Sequence, residues 1–163
     1  MAPLPLNRLD LIPFIVLSMV VYVAHIPGLG YLRIDAVALT VILFSVYRPW
    51  GLSLLVIFCI GLLQDVVSMA PFGQHALGLC VMSYIAQHMR DQIRILSIPK
   101  QLPSIAIALL VLKLIYSWVA AYRFGVVPSY AALLSILLTV LLWPVVYWFG
   151  QCISRNRRIP GLG

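Results

Sequence analysis

Long apolar runs, each stopped by proline, glycine or basic residues, dominate the chain. A helix that crosses a membrane needs about 20 predominantly apolar residues, and six runs reach or approach that length. They predict an all-α protein of about six transmembrane helices packed in one bundle. The predicted spans lie at about 11–24, 34–47, 50–68, 73–88, 102–122 and 130–152. The basic stretch from residue 90 to residue 100 is expected to form a loop.

The composition makes lipid the solvent for much of this chain. Of 163 residues, 63% are hydrophobic and 9% are charged, and the mean hydropathy is +1.07. Such a chain has too few polar side chains to cover a surface in water. We therefore expect a single polytopic membrane domain over residues 1–163, with no soluble domain of any size.

The distribution of basic residues predicts an orientation. With six spans and both termini in the cytoplasm, eight basic residues face the cytoplasm and two face the opposite side, which is the bias known as the positive-inside rule. The eight are Arg8, Arg48, Arg90, Arg94, Lys100, Arg155, Arg157 and Arg158, and the two are Arg33 and Arg123. The net charge of +7 is then explained by contact with anionic lipid headgroups, and nucleic acid is not an expected partner.

The segment from Gly61 to Tyr84 carries the polar groups of greatest interest. Asp65 is one of four acidic residues in the chain, and a charge at the centre of a span costs about 2.5 to 3.5 kcal/mol. Either Asp65 faces the bundle interior or a partner helix, or it reaches water and caps the end of the third span. His75 could pair with Asp65 across the intervening turn, or it could lie in water at the interface.

Helical spacing adds two further features. Gly61 lies one turn before Asp65 on the same helix face, which suggests close helix approach beside a polar group. Tyr84 and Gly73 share one face of the fourth span, and His75 lies on another side.

Three charged residues outside this segment also lie in or beside the predicted spans. Lys113 could meet Asp65 or Asp35 across the bundle, but its long stem also lets the ammonium reach an interface, and this second interpretation is favoured. Arg33 and Asp35 are expected to anchor the second span at the interface.

No pattern typical of catalysis is present in the sequence. It has no serine or cysteine placed with a histidine and an acid, no paired carboxylates and no phosphate-binding glycine loop beside a lysine. The cysteines lack metal-ligand spacing and are expected to be small buried residues; they are Cys59, Cys80 and Cys152. The sequence therefore predicts a scaffold or binding subunit that is not an enzyme and that holds neither cofactor nor metal.

Several sequence details together resemble one family. The block GLLQD from Gly61 to Asp65 is followed by APFGQHALGLCVMSY from Ala70 to Tyr84. A Pro-Trp-Gly sequence opens the third span, and Trp143-Pro144 precedes the basic end of the chain. In this layout the chain resembles the rod shape-determining protein MreD family.

The resemblance implies a non-enzymatic component of the cell-elongation machinery in the bacterial inner membrane. Its expected partner is the bitopic protein MreC and, through it, the actin-like MreB, RodA and a class B penicillin-binding protein. The implied six-helix bundle is similar to the substrate-binding subunits of energy-coupling-factor vitamin transporters.

The resemblance also suggests which residues carry the role. Four residues match the family pattern, and with His75 they are candidates for partner binding or for a structural role in the membrane: Gly61, Asp65, Gly73 and Tyr84. The shared bundle leaves open an alternative, a vitamin-like binding subunit of a transporter. Its polar candidates are Asp65, His75, Gln64 and Gln74, although Gln64 stands where many relatives have an apolar residue.

Overall fold

The structure is a computed structural model that describes residues 8–23, 34–48, 52–125 and 130–156. These residues form an all-α fold, as predicted. In chain order the helices are α1 Arg8–Val23, α2 Ala36–Tyr47, α3 Leu54–Ser68, α4 Gln74–His88, α5 Arg90–Ile95, α6 Ile98–Phe124, α7 Tyr130–Leu141 and α8 Trp143–Asn156.

Two helical segments are long and apolar enough to cross a membrane by length and composition. They are Ile98–Val119 and Ala132–Cys152, with mean hydropathies of 2.0 and 2.1. Shorter apolar segments lie at Leu11–Val21, Ala36–Tyr47 and Leu54–Ser68. The described fold is therefore consistent with a helical membrane protein, while the six-span arrangement stays a prediction.

Helix α2 forms the centre of the fold. Every residue from Val37 to Tyr47 is buried, and the helix contacts α1, α4, α5 and α8. A helix that is apolar all round has no face suited to water, so its favourable position is inside a layer of other helices. The largest buried side chains on it are Leu39, Ile42, Leu43 and Phe44.

Helices α3 and α4 form an antiparallel hairpin around a turn at residues 69–73. Met69 ends α3 in the left-handed conformation, with φ of 51°. Its N–H donates to the Val66 carbonyl, and the Ala70 N–H donates to the Asp65 carbonyl; this is the Schellman motif that often ends helices. The turn thus reverses the chain and places the start of α4 beside the end of α3.

The prediction of a loop between residues 90 and 100 is wrong, because this stretch forms the short helix α5 and the beginning of α6. Ile93 is 2% exposed and anchors α5 in the core. Arg94 donates from Nε to the Val46 carbonyl (2.7 Å) and from Nη2 to the Arg48 carbonyl (3.1 Å). These carbonyls end α2, so Arg94 caps it. Burial lowers the pKa of the Arg94 guanidinium, which still carries its charge at neutral pH.

The predicted last span corresponds to the apolar segment Ala132–Cys152, which a single interruption at Leu142 divides into α7 and α8. Pro144 has no N–H to donate and its ring clashes with the carbonyl four residues earlier, so it interrupts a helix. The expectation of buried cysteines is wrong at Cys59 and Cys152, which are exposed, whereas Cys80 is half-buried. Both exposed cysteines lie on helix faces that point away from the core.

A hydrogen-bond network around Gln101 joins the helices at the end of the bundle that holds α5. Gln101 is fully buried, and its Oε1 accepts from the Tyr47 hydroxyl (3.1 Å) and the Trp143 indole (3.0 Å). Its Nε2 donates to the carbonyls of Ile93 (3.0 Å) and Leu96 (2.9 Å). One amide therefore connects α2, α5, α6 and α8.

Candidate functional site

Asp65 lies beside the turn of the α3–α4 hairpin, and both of its carboxylate oxygens accept hydrogen bonds. It is 1% exposed. Oδ2 accepts from the Gly73 N–H (2.8 Å), and Oδ1 accepts from the His75 N–H (2.8 Å) and lies 2.8 Å from His75 Nδ1. Free N–H groups and a partial positive charge mark a helix N-terminus. Asp65 therefore caps α4 from the neighbouring helix.

This geometry decides between the interpretations that the sequence left open. Asp65 faces the interior, and the helix that it meets belongs to the same chain. His75 is 6% exposed, so its placement in water at the interface is wrong. The structure brings Asp65 and His75 together, while their role toward a partner protein stays a prediction.

Gly61 is the point of closest approach between α3 and α4. A Cβ atom built on Gly61 would lie 2.3 Å from Cα and 2.6 Å from N of Ala76. Both are backbone atoms, so no side-chain rotation could make room. Gly61 thus permits direct backbone contact, which places Asp65, one turn later, within reach of the first N–H groups of α4.

Gly73 serves the same cap through its backbone. Its φ is +91°, and nothing lies within 4 Å of a Cβ atom built there. Side chains disfavour this left-handed region even where space is open. Glycine is therefore required for the turn that aims the Gly73 N–H at Asp65.

Tyr84 lies apart from the other four candidate residues. It is 64% exposed and shares an outward stripe of α4 with Leu77 (55%) and Val81 (40%). The opposite face of α4 carries the buried residues His75, Leu79 and Met82. Tyr84 is thus accessible to a partner or to lipid, whereas Gly61, Asp65 and His75 contact other parts of their own chain.

Lys113 and Asp35 form a buried ion pair between α6 and the beginning of α2. The Lys113 ammonium pairs with Asp35 Oδ2. Their side chains are 16% and 4% exposed, and a charge removed from water requires a partner. Two predictions are therefore wrong: that Lys113 reaches an interface, and that Asp35 anchors the second span at the interface. Arg33, assigned to the same anchor, lies outside the described residues.

The two glutamines considered for a ligand site differ in accessibility. Gln64 is 1% exposed, and its Oε1 has no hydrogen-bond partner within the described part of the chain. Gln74 is half-buried in the first turn of α4. Neither amide is shown to join Asp65 and His75 in one polar pocket.

An apolar groove of about 290 Å³ lies between α1, α2 and α8. Phe14, Leu39 and Phe149 contribute to its walls. Its two hydroxyl side chains already donate within their own helices: Ser18 to the Ile15 carbonyl (2.9 Å) and Thr40 to the Ala36 carbonyl (3.0 Å). The groove therefore offers a polar ligand few groups to bind.

Comparison with known families decides what kind of protein carries this hairpin. The family model described as rod shape-determining protein MreD matches residues 6–153, nearly the whole chain. The chain belongs to the MreD family. Neither a search of curated proteins nor a search of solved structures finds a match.

Family membership confirms the resemblance and implies a role in rod shape determination for a membrane protein. The family is a shape-determining one and is not known for an enzymatic activity. The geometry agrees with a structural use of the site, because the Asp65 carboxylate is occupied by backbone and side-chain groups of α4.

Proposed function

We propose that this chain is a non-enzymatic scaffold of the bacterial cell-elongation complex. It binds MreC and thereby supports rod shape and lateral peptidoglycan synthesis, with indirect links to MreB, RodA and a class B penicillin-binding protein. It lies in the inner membrane as a six-span bundle similar to the substrate-binding subunits of energy-coupling-factor transporters. In this arrangement α7 and α8 together make the sixth span, and both termini are cytoplasmic.

The construction of the α3–α4 hairpin is the observation that supports this proposal best. Inside the hairpin, Gly61 and Asp65 fix the contact between the two helices. Outside, α3 and α4 expose apolar stripes at helical spacing, formed by Leu55, Leu63 and Val66 on α3 and by Leu77, Val81 and Tyr84 on α4. A rigid pair of helices offers one further transmembrane helix, such as that of MreC, a fixed surface for van der Waals packing, which is an interaction that associates helices in lipid.

The predicted orientation places the α3–α4 turn outside and α5 at the cytoplasmic surface. There the exposed Lys100 and the half-buried Arg90 are suited to anionic headgroups, which attract basic residues close to a membrane. The short α5 thus rests on lipid, while the hairpin remains available for MreC.

Substitutions inside the hairpin test the assignment to MreC binding. Asp65→Ala removes the cap of α4, and Gly61→Leu forces α3 and α4 apart, so both should reduce co-purification of MreC and turn rods into round cells. Asp91→Ala is the matched control, because the Asp91 side chain is 88% exposed. Full MreC binding and normal rods in both hairpin variants, at normal protein levels, would contradict the assignment.

The alternative of a vitamin-like ligand gains no support from the described cavity. Ligand sites combine an apolar pocket with a few polar groups placed to orient the ligand, and the groove beside α1 supplies little of the second kind. Native mass spectrometry of the purified chain tests this alternative directly, since a retained small molecule would favour it over the scaffold.

A further inference from the structure

One turn of α6 contacts both α2 and α4. Lys113 and Tyr116 are three residues apart, so they project from the same side of the helix. Lys113 pairs with Asp35 at the beginning of α2, and the Tyr116 ring lies 4.5 Å from the His75 ring at the beginning of α4, measured between centroids. The Lys113 ammonium lies 5.9 Å from the centroid of the Tyr116 ring.

Helix α4 packs closely against this same turn of α6. A Cβ atom built on Gly78 would lie 2.6 Å from Tyr116 Cε1 and 2.8 Å from Leu112 Cδ1. His75 and Gly78 are themselves three residues apart on the buried side of α4. Two neighbouring residues of α4 therefore contact Tyr116, which fixes where α6 crosses the hairpin.

The contacts form a continuous chain of buried and half-buried side chains across five helices. It runs from Asp65 in α3 through His75 in α4, Tyr116 and Lys113 in α6, to Asp35 before α2. It continues into α7, because the Asp35 N–H donates to Thr139 Oγ1 (3.3 Å) and the Thr139 hydroxyl donates to the Ser135 carbonyl (2.7 Å).

A buried ion pair is weak support for stability, but an unpaired buried charge is strongly unfavourable. Buried polar groups can therefore select one packing arrangement among several that bury equal apolar area. If α6 slid by one turn, about 5.4 Å, Lys113 would leave Asp35 and Tyr116 would leave His75. A single shift would thus break both contacts.

We infer that Asp35 and Lys113 are a positioning pair, which fixes the register of α6 against α2 and, through Tyr116, the seat of the α3–α4 hairpin. Neither residue lies on the outward stripes of that hairpin. The consequence for MreC binding rests on the proposed function: the pair supports the binding surface without touching the partner.

The test compares single and double substitutions in the full chain reconstituted in lipid nanodiscs. Asp35→Asn and Lys113→Met each leave one buried charge without its partner, and each should lower the melting temperature by on the order of 10 °C. The double variant removes both charges and should regain at least half of that loss. Asp91→Asn, at the exposed end of an Arg90–Asp91 pair separated by 3.8 Å, is the control and should shift the melting temperature by about 2 °C or less.

Hydrogen exchange locates the effect in the fold. Each single variant should raise exchange in the first turns of α4 and in the middle of α6, and leave α5 and the Gln101 end of α6 unchanged. Three results would overturn the inference. They are single variants with the melting temperature of the wild type, a double variant whose melting temperature falls by the sum of the two single losses, and an increase in hydrogen exchange spread evenly over the chain.

Co-purification of MreC separates this inference from the proposed function. The single variants should retain less MreC than the double variant. If the wild-type chain retains no MreC, the proposed function fails alone, because melting and exchange are measured without MreC and still decide the positioning role.

Discussion

Gly61→Ala should be the most disruptive single-methyl addition among the buried helical glycines described by the structure. The new Cβ would lie 2.3 Å from Cα, 2.6 Å from N and 3.0 Å from Cβ of Ala76. Two of these atoms belong to the backbone of α4 and cannot rotate away. The helices must therefore separate, and the separation stretches the contacts between Asp65 and the first N–H groups of α4.

The magnitude follows from three terms. Overpacking a close contact costs about 1–3 kcal/mol, and the upper end applies because backbone must move. Weakening one charge-assisted hydrogen bond of Asp65 adds about 1.5–3 kcal/mol. Replacing glycine by alanine inside a helix returns about 1 kcal/mol. The net loss is roughly 3–5 kcal/mol, which lowers the melting temperature by on the order of 10 °C.

Two other glycines provide matched controls for this estimate. A Cβ atom on Gly78 would meet side-chain atoms at 2.6 and 2.8 Å, and one on Gly150 would meet only Leu43, at 3.2 Å. All three changes gain the same helix propensity, so their differences report the contacts. Thermal unfolding in detergent should rank the alanine variants Gly61, then Gly78, then Gly150, from least to most stable. A Gly61→Ala protein as stable as Gly150→Ala would refute the reasoning.

Four further substitutions test the cap, the turn and the network at the α5 end, each by thermal unfolding of the purified chain. Asp65→Asn keeps one acceptor oxygen but turns an amide N–H toward the N–H donors of α4, and should cost about 1–3 kcal/mol; a variant as stable as the wild type would contradict the cap. Gly73→Ala should lower the free energy of unfolding by about 1–2 kcal/mol, and Met69→Gly should raise it by a similar amount, because φ at these positions is +91° and +51°. The opposite signs would contradict the turn geometry. Gln101→Leu leaves the donors and acceptors of its network without partners, and should cost at least about 3 kcal/mol, whereas Gln92→Leu on the exposed side of α5 should change little.

The hairpin was the most predictable part of this fold from sequence. Two apolar runs separated by Ala-Pro-Phe-Gly predict two helices and a tight turn, and the structure has α3 and α4 within a few residues of the predicted bounds. Helical spacing also places Gly61 and Asp65 on one face of α3. Local rules suffice here because the contacts join neighbours in the chain.

The Asp35–Lys113 pair could not be predicted in the same way. The cost of an unpaired buried charge indicates that Lys113 needs either a partner or water. Several pairings satisfy that condition, and the choice depends on where α6 lies relative to the beginning of α2. Sequence spacing carries no information on that relative position, so the contacts of Tyr116 with His75 and of Thr139 with Asp35 could not be predicted either.

Two features of the helices that the predicted spans omit have signals in the sequence. Pro144 inside the last apolar run is a helix breaker, and a break at Leu142 divides that run into α7 and α8. The basic stretch after α4 also contains four apolar residues, Ile93, Ile95, Leu96 and Ile98, and the structure buries Ile93. The charged residues favoured a loop, whereas the burial of Ile93 accompanies the short helix α5.

Photocrosslinking to MreC tests the central claim most directly. A photoreactive amino acid at Leu63 on α3 reports the proposed binding surface, and one at Leu137 on α7 is the control, since the two leucines are 53% and 56% exposed. The scaffold proposal predicts a crosslink to MreC from position 63 and none from position 137 in growing cells. A crosslink only from position 137, or equal crosslinks from both, would contradict binding through the α3–α4 hairpin.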